Sequence, residues 1–164
     1  MKKFIVFVCF LGICVGLKAQ NRTEFGGKLG LQFGTTTLIE LSPRVGYWFT
    51  NYFVSGVGGS YVYMNDSRQG GYKGSLYGVS IYSRLYPTRS LYLQVEYSKM
   101  NIGIPAGGGV VYRIWTEGLL MGGGYVQPIS DNTAINFSIL WDVIGQQNFP
   151  YSNPIINAGI VTRF

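Results

Sequence analysis

The 164 residues suit a single domain, and they include no histidine, which excludes Ser-His-Asp triads and histidine-held metals. Charged residues make up 12% of the chain, against roughly 25–35% for a soluble surface, whereas aromatics reach 16% with 13 tyrosines. Three of the positive charges behind the net +6 belong to Lys2, Lys3 and Lys18, and the remaining excess is too small to indicate nucleic acid as a partner.

Met1-Lys2-Lys3, the apolar run Phe4 to Leu17 and the segment Lys18-Ala19-Gln20 have the basic, apolar and small-residue parts of a secretory signal peptide. The chain is therefore expected to divide into a signal, 1–19, and one domain, 20–164. The apolar run is too short for a membrane-spanning helix, and no later segment approaches 18 consecutive apolar residues. Both cysteines, Cys9 and Cys14, fall in the signal, so the exported chain is expected to have no disulfide. Ile13 is bulky where lipoprotein cleavage before Cys14 would need a small residue.

Eight stretches then alternate apolar and polar with the period of a half-buried strand. The first runs near Phe25–Phe33, with Phe25, Leu29 and Leu31 opposite Lys28 and Gln32. The second runs near Leu38–Phe49, with Ile39, Leu41, Val45, Tyr47 and Phe49 opposite Glu40, Ser42 and Arg44. The third, near Phe53–Tyr63, sets Phe53, Val57, Tyr61 and Tyr63 against Gly56, Gly58 and Ser60. The fourth, near Ser75–Tyr86, sets Tyr77, Val79, Ile81 and Leu85 against Ser80, Tyr82 and Arg84. The fifth, near Leu91–Lys99, sets Leu91, Leu93, Val95 and Tyr97 against Gln94, Glu96 and Ser98. The sixth, near Trp115–Val126, is ambiguous because Gly118, Gly122 and Gly124 carry no side chain; Leu119, Met121 and Tyr125 are placed outward. The seventh, near Thr133–Asp142, sets Ile135, Phe137, Ile139 and Trp141 against Asn136, Ser138 and Asp142. The last is Pro154–Phe164, with Ile156, Ala158, Ile160, Thr162 and Phe164 on one face and Arg163 on the other.

Short turns fall at Thr50-Asn51, Pro87–Ser90 and Pro128–Asn132. Longer loops are expected at Asn65–Gly74, Asn101–Tyr112 and Val143–Asn153. An antiparallel meander sorts these two sets to opposite ends. The fold class that follows is all-β: an eight-stranded antiparallel up-and-down transmembrane β-barrel with short periplasmic turns and longer extracellular loops. A ligand-binding soluble barrel would reverse the faces, but the polar face is mostly Gly, Ser, Asn and Gln and would make a meagre water-exposed surface. Packed into a narrow lumen, the same face makes sense. Lys28, Arg44, Arg84 and Arg163 are expected to meet Glu40 and Glu96 there as a polar network, since buried charges persist only when paired. Aromatics near the strand ends (Tyr47, Phe49, Phe53 and Phe164; Tyr61, Tyr63, Tyr77, Tyr97 and Trp141) are placed as two interfacial girdles.

The signal ending Lys18-Ala19-Gln20, the eight-strand meander, Glu40-Leu41-Ser42-Pro43-Arg44-Val45-Gly46-Tyr47, Gly122-Gly123-Gly124-Tyr125 and Tyr151-Ser152-Asn153-Pro154 together resemble the small outer-membrane β-barrel proteins of Gram-negative bacteria. The resemblance covers the whole of the exported chain. It implies an outer-membrane location, contact with outer-membrane lipids and lipopolysaccharide, and delivery by the barrel assembly machinery, with Phe164 as the recognition signal. It does not choose among activities. The reading carried forward is a structural or surface-interaction role, in adhesion or envelope integrity, with a possible extracellular ligand at the long loops. A small solute pore and a lipid-modifying enzyme are the alternatives. Glu40 and Glu96 are better read as network members than as an acid/base pair, so no enzyme activity, cofactor or metal is expected. The glycine triplets at 107–109 and 122–124 lack the Lys-Ser/Thr of a phosphate loop. Arg68, Tyr72 and Lys73 read first as a solvated loop, with lipid phosphate or a host ligand as the alternative.

Overall fold

The computed structural model describes residues 22–32, 36–66, 73–105, 111–146 and 148–164. The expected signal peptide, Phe33, Arg68, Tyr72 and the glycine triplet at 107–109 lie outside the described residues. Eight strands follow one another: β1 (Thr23–Gln32), β2 (Thr36–Thr50), β3 (Phe53–Asp66), β4 (Lys73–Leu85), β5 (Leu91–Pro105), β6 (Val111–Pro128), β7 (Thr133–Asp142) and β8 (Ile155–Arg163). Each pairs antiparallel with its chain neighbours, and β8 returns to β1, so the sheet closes without an edge around the barrel. From Glu24 the pairing runs through Gly46, Gly56, Tyr82, Glu96 and Leu120 to Asp142. In the other direction it passes through Arg163 to Asn132. The wall thus closes with a ten-residue stagger, the geometry that tilts barrel strands and sets the lumen's width.

The connections sort as the alternation requires. Those after β2, β4 and β6, together with the start of β1 and the end of β8, lie at one end; the others lie at the opposite end. Two of the expected long loops are shortened at both ends: Asn65-Asp66 and Lys73-Gly74 belong to β3 and β4, and Asn101–Pro105 and Val111-Tyr112 belong to β5 and β6. In the second, Asn101-Ile102-Gly103-Ile104 pairs with Tyr112-Arg113-Ile114-Trp115. Ile102 is buried and Ile104 and Ile114 pack beside it, so apolar burial outweighs the turn propensity of the nearby Gly and Pro.

Apolar side chains cover the outside. Leu29, Val79 and Ile156 are 64%, 64% and 72% exposed, and Ile81, Leu93, Val95, Ile139 and Ile160 join them. Met121 and Tyr125 also point out, which settles the ambiguous sixth strand, since Leu120 on the opposite face is buried. The inside is divided between a charged and aromatic half toward the short-turn end and an apolar cluster toward the other.

Candidate functional site

The lumen is where alternation gathers the polar side chains. Lys28 from β1, Glu40 and Arg44 from β2, Arg84 from β4 and Glu96 from β5 all point inward. Lys28 Nζ lies 3.5 Å from Glu40 Oε1 and 3.8 Å from Glu96 Oε1. Arg44 Nη2 donates to both Glu96 carboxylate oxygens, at 2.7 and 2.6 Å. Glu96 also accepts from Gln94 Nε2 at 2.8 Å, and Ser42 Oγ donates to Glu40 at 2.5 Å. Arg84 turns elsewhere: its Nε donates to Gln94 Oε1 at 2.8 Å, and its Nη1 stands 3.6 Å from Glu24 Oε1.

Glu24 is the member that sequence reading missed. It lies two residues before Gly26 and four before Lys28, on the same face, so alternation carried one residue beyond Phe25 would have found it. With Glu24, three carboxylates face three cations, and the buried set is neutral. Such a set is tolerable only because each charge is also hydrogen-bonded or ion-paired. Trp48 Nε1 donates to Glu24 Oε2 at 2.9 Å, and the Tyr82 phenol donates to Oε1 at 3.1 Å. The guanidinium carbons of Arg44 and Arg84 each lie 5.0 Å from the centre of the Tyr82 ring. Arg163 is not part of this set. It sits exposed at the short-turn rim, with its guanidinium 3.7 Å from the centre of the Trp48 ring.

Beyond Glu40 and Glu96, large apolar side chains fill much of the lumen. Val62, Leu76, Met100, Ile102, Leu120, Leu140 and Ile155 form a buried cluster, and Phe149 enters it from the β7–β8 connection. The expectation of an exposed Val143–Asn153 loop is therefore corrected in part: the segment leaves and re-enters the barrel mouth. Asp142 accepts from the backbone N–H of Leu119, Ile144 and Gly145, while its own N–H donates to Asn153 Oδ1 at 2.7 Å. Gly145 turns the chain with φ +65°, a conformation that costs glycine least. Gln146 Oε1 then accepts from Thr116 Oγ1 and from the Glu117 N–H, both at 2.8 Å. The Phe149 ring lies over Gly118, where any Cβ would collide with it. Tyr151 packs edge-on to Phe149. Burial, reinforced by the nearby Glu40 carboxylate, holds the Tyr151 phenol well above its ordinary pKa.

At the opposite end the lumen opens into a vestibule of about 480 Å³. Trp48 and Tyr86, with ring centres 5.0 Å apart, line it, and Tyr92 continues the stack behind Tyr86 at 5.3 Å. Burial pushes the Tyr86 phenol up to about 12. A further space of about 10 Å³ lies within the network, among Lys28, Arg44, Tyr82, Arg84 and Asn136, room for about one water.

On the outer surface, Tyr47 packs edge-on to Phe49 at 5.2 Å, Phe49 lies 5.9 Å from Phe53, and Phe164 lies 5.9 Å from Phe25, all near the short-turn end. Toward the other end Tyr61, Tyr63, Tyr77, Tyr97 and Trp141 are exposed, and Tyr112 and Trp115 add to them. There Arg113 lies over the Tyr77 ring, and Lys99 pairs with Glu117 at 2.9 Å.

No protein-family model matches the sequence, and no curated protein matches it. Among solved structures, the chain is similar to the N-terminal β-barrel domain of OprF from Pseudomonas aeruginosa. The identity is 15% and the TM-score 0.56, over 88% of this chain and 98% of that one. It is also similar to the outer membrane protein Ail of Yersinia pestis, solved in a phospholipid bilayer nanodisc, at 14% identity and a TM-score of 0.50, over 88% of this chain and all of that one. At these identities the likeness is one of fold: the closed, eight-stranded, up-and-down barrel of transmembrane proteins.

Proposed function

We propose that this protein is an integral outer-membrane barrel whose role is structural or surface-interacting, and that it is exported by the leader at 1–19. The observation that carries the reading is the reversal of faces. Large apolar side chains point out all around a wall without edges, while the ionised groups are paired inside. In water such an exterior would be a very large sticky patch; in lipid it is the required surface, and the pairing of β8 with β1 removes the open sheet edge that lipid could not satisfy. The partners are then membrane lipids and lipopolysaccharide around the belt, with the barrel assembly machinery reading Phe164 during insertion. The β5–β6 arm and the β7–β8 connection face outward from the cell, available to an extracellular ligand. Glu40 and Glu96 act as counter-ions, not as an acid/base pair, so the lumen does no chemistry.

Fractionation and protease treatment of intact cells test the location and orientation. The protein is expected in the outer-membrane fraction, with cleavage between β5 and β6 and sparing of the turn around Arg89. Recovery in the soluble fraction, or cutting at Arg89 with the β5–β6 connection intact, overturns the reading. Planar-bilayer recordings are expected to be silent, because the charged network and the Phe149 cluster block the lumen in series; regular single-channel steps would restore the pore.

A further inference from the structure

The vestibule at the short-turn end is floored by the charged network, and the Phe149 cluster lies beyond it. A path through the barrel would conduct; a closed-ended cavity of this size has the dimensions of a small-molecule site, which are roughly 300–1,000 Å³. One part of its wall is aromatic and aliphatic, from Trp48, Tyr86, Val126 and Val161, and polar side chains such as Asn51, Thr88 and Asn132 complete the rim. Its floor carboxylate, Glu24, is already occupied by Trp48, Tyr82 and Arg84, so it offers nothing to a cationic guest. Two guanidiniums also line it, Arg89 from the β4–β5 turn and Arg163 from the end of β8. Among the described residues neither has an ion-pair partner, and Arg163 rests on the Trp48 ring at 3.7 Å. Asp131 is the one other carboxylate on the lining. A pocket with an aromatic wall, a spent floor acid and two guanidiniums that have no carboxylate partner among the described residues suits an apolar body with one anionic group, since the planar guanidinium fork matches a carboxylate.

We propose that this vestibule binds a small aromatic carboxylate, its ring against the Trp48–Tyr86 wall and its carboxylate on Arg163 and Arg89. That the site opens to the periplasm rests on the orientation proposed above; binding itself does not.

The test uses the full barrel refolded in detergent, with Trp115→Phe and Trp141→Phe leaving Trp48 as the reporter. The probe is 3,5-dinitrobenzoate, whose ring quenches indole fluorescence at close range. Saturable quenching is expected, and the uncharged 3,5-dinitrobenzamide should bind about tenfold more weakly, the ratio that one charge-assisted hydrogen bond supplies. Arg163→Gln should weaken the benzoate by a similar factor, and Ala134→Phe, which fills the cavity, should abolish saturation. Retained heat-modifiable migration in gels shows that each variant is folded. A companion protein that keeps only Trp141, on the outer face, reports partition into detergent. Linear, unsaturable quenching of Trp48, equal affinity for benzoate and benzamide, or the same saturation at Trp141 overturns the proposal. So does unchanged affinity in folded Arg163→Gln and Ala134→Phe.

Discussion

The phenol of Tyr82 on β4 donates to Glu24 on β1, across the inner faces of both intervening strands. The route is open because Gly46 and Gly56 lie beneath it. A Cβ at Gly46 would stand 2.5 Å from Tyr82 Oη and 2.9 Å from Glu24 Cγ. One long side chain thus ties together two strands that never pair with each other.

Gly46→Ala should therefore destabilise the barrel by roughly 1–3 kcal/mol, the usual range for overpacking. Urea unfolding in detergent measures it. In the background of Tyr82→Phe, which removes the crowded oxygen, the same substitution should cost less, and the double-mutant cycle should show coupling. Equal costs in both backgrounds would mean that Tyr82 does not hold this path.

Glu96→Gln removes the negative charge that Arg44 and Lys28 face and one of the two oxygens that accept from Arg44. The expected loss is about 3–5 kcal/mol, as for an uncompensated buried charge, seen as a lower unfolding temperature. Lys99→Ala breaks an ion pair whose side chains are 45% and 38% exposed, and should cost under about 1 kcal/mol. If the two variants lose similar stability, the lumenal network is not what stabilises the barrel.

Phe149→Ala should free the β7–β8 connection from the barrel mouth. Chymotrypsin is expected to cut faster at Tyr151, which packs against Phe149, while the strands remain intact. Unchanged resistance at Tyr151 would show that the Asp142–Asn153 and Gln146 hydrogen bonds hold the segment unaided.

Alkaline titration reports on the vestibule wall. Burial raises the Tyr86 phenol from its ordinary value of 10 to about 12, so the folded state favours the neutral form. That contribution is fully present below pH 10 and is lost as pH rises toward 12. Tyr86→Phe should flatten the fall in unfolding free energy over this window; an unchanged slope would place the titrating group elsewhere.

The wall was legible in the sequence because a membrane barrel forces alternation onto nearly every strand. Leu93, Val95 and Tyr97 opposite Gln94, Glu96 and Ser98 leave little choice. The sixth strand was obscure because glycine votes for neither face, and only Leu120 packing inside decides it. The apolar half of the lumen was illegible for a related reason: the rule that sends Leu and Ile outward has no way to exempt Leu76, Leu120, Leu140 and Ile155. Their partner, Phe149, lies in a segment without periodicity. Its one counterpart in the sequence is the bare Gly118, which means nothing until the two are seen together. Partner choice within the network was equally hidden, since alternation assigns a face but not a reach, and Arg84 goes to Glu24 and Gln94 rather than to Glu40 or Glu96.

The ladder between β1 and β8 runs only from Glu24–Arg163 to Leu29–Ala158, while that between β5 and β6 extends from Leu91–Tyr125 to Pro105–Val111. The cylinder therefore has a seam, latched at one end where Phe164 and Thr23 exchange backbone hydrogen bonds and the Phe25 and Phe164 rings meet. Strain applied anywhere on the wall will find this stitch line first. The amides of Phe25 and Gly27, which bond across to β8, should trade their protons for solvent deuterium ahead of those along the β5–β6 hairpin, and a barrel that comes apart will come apart there.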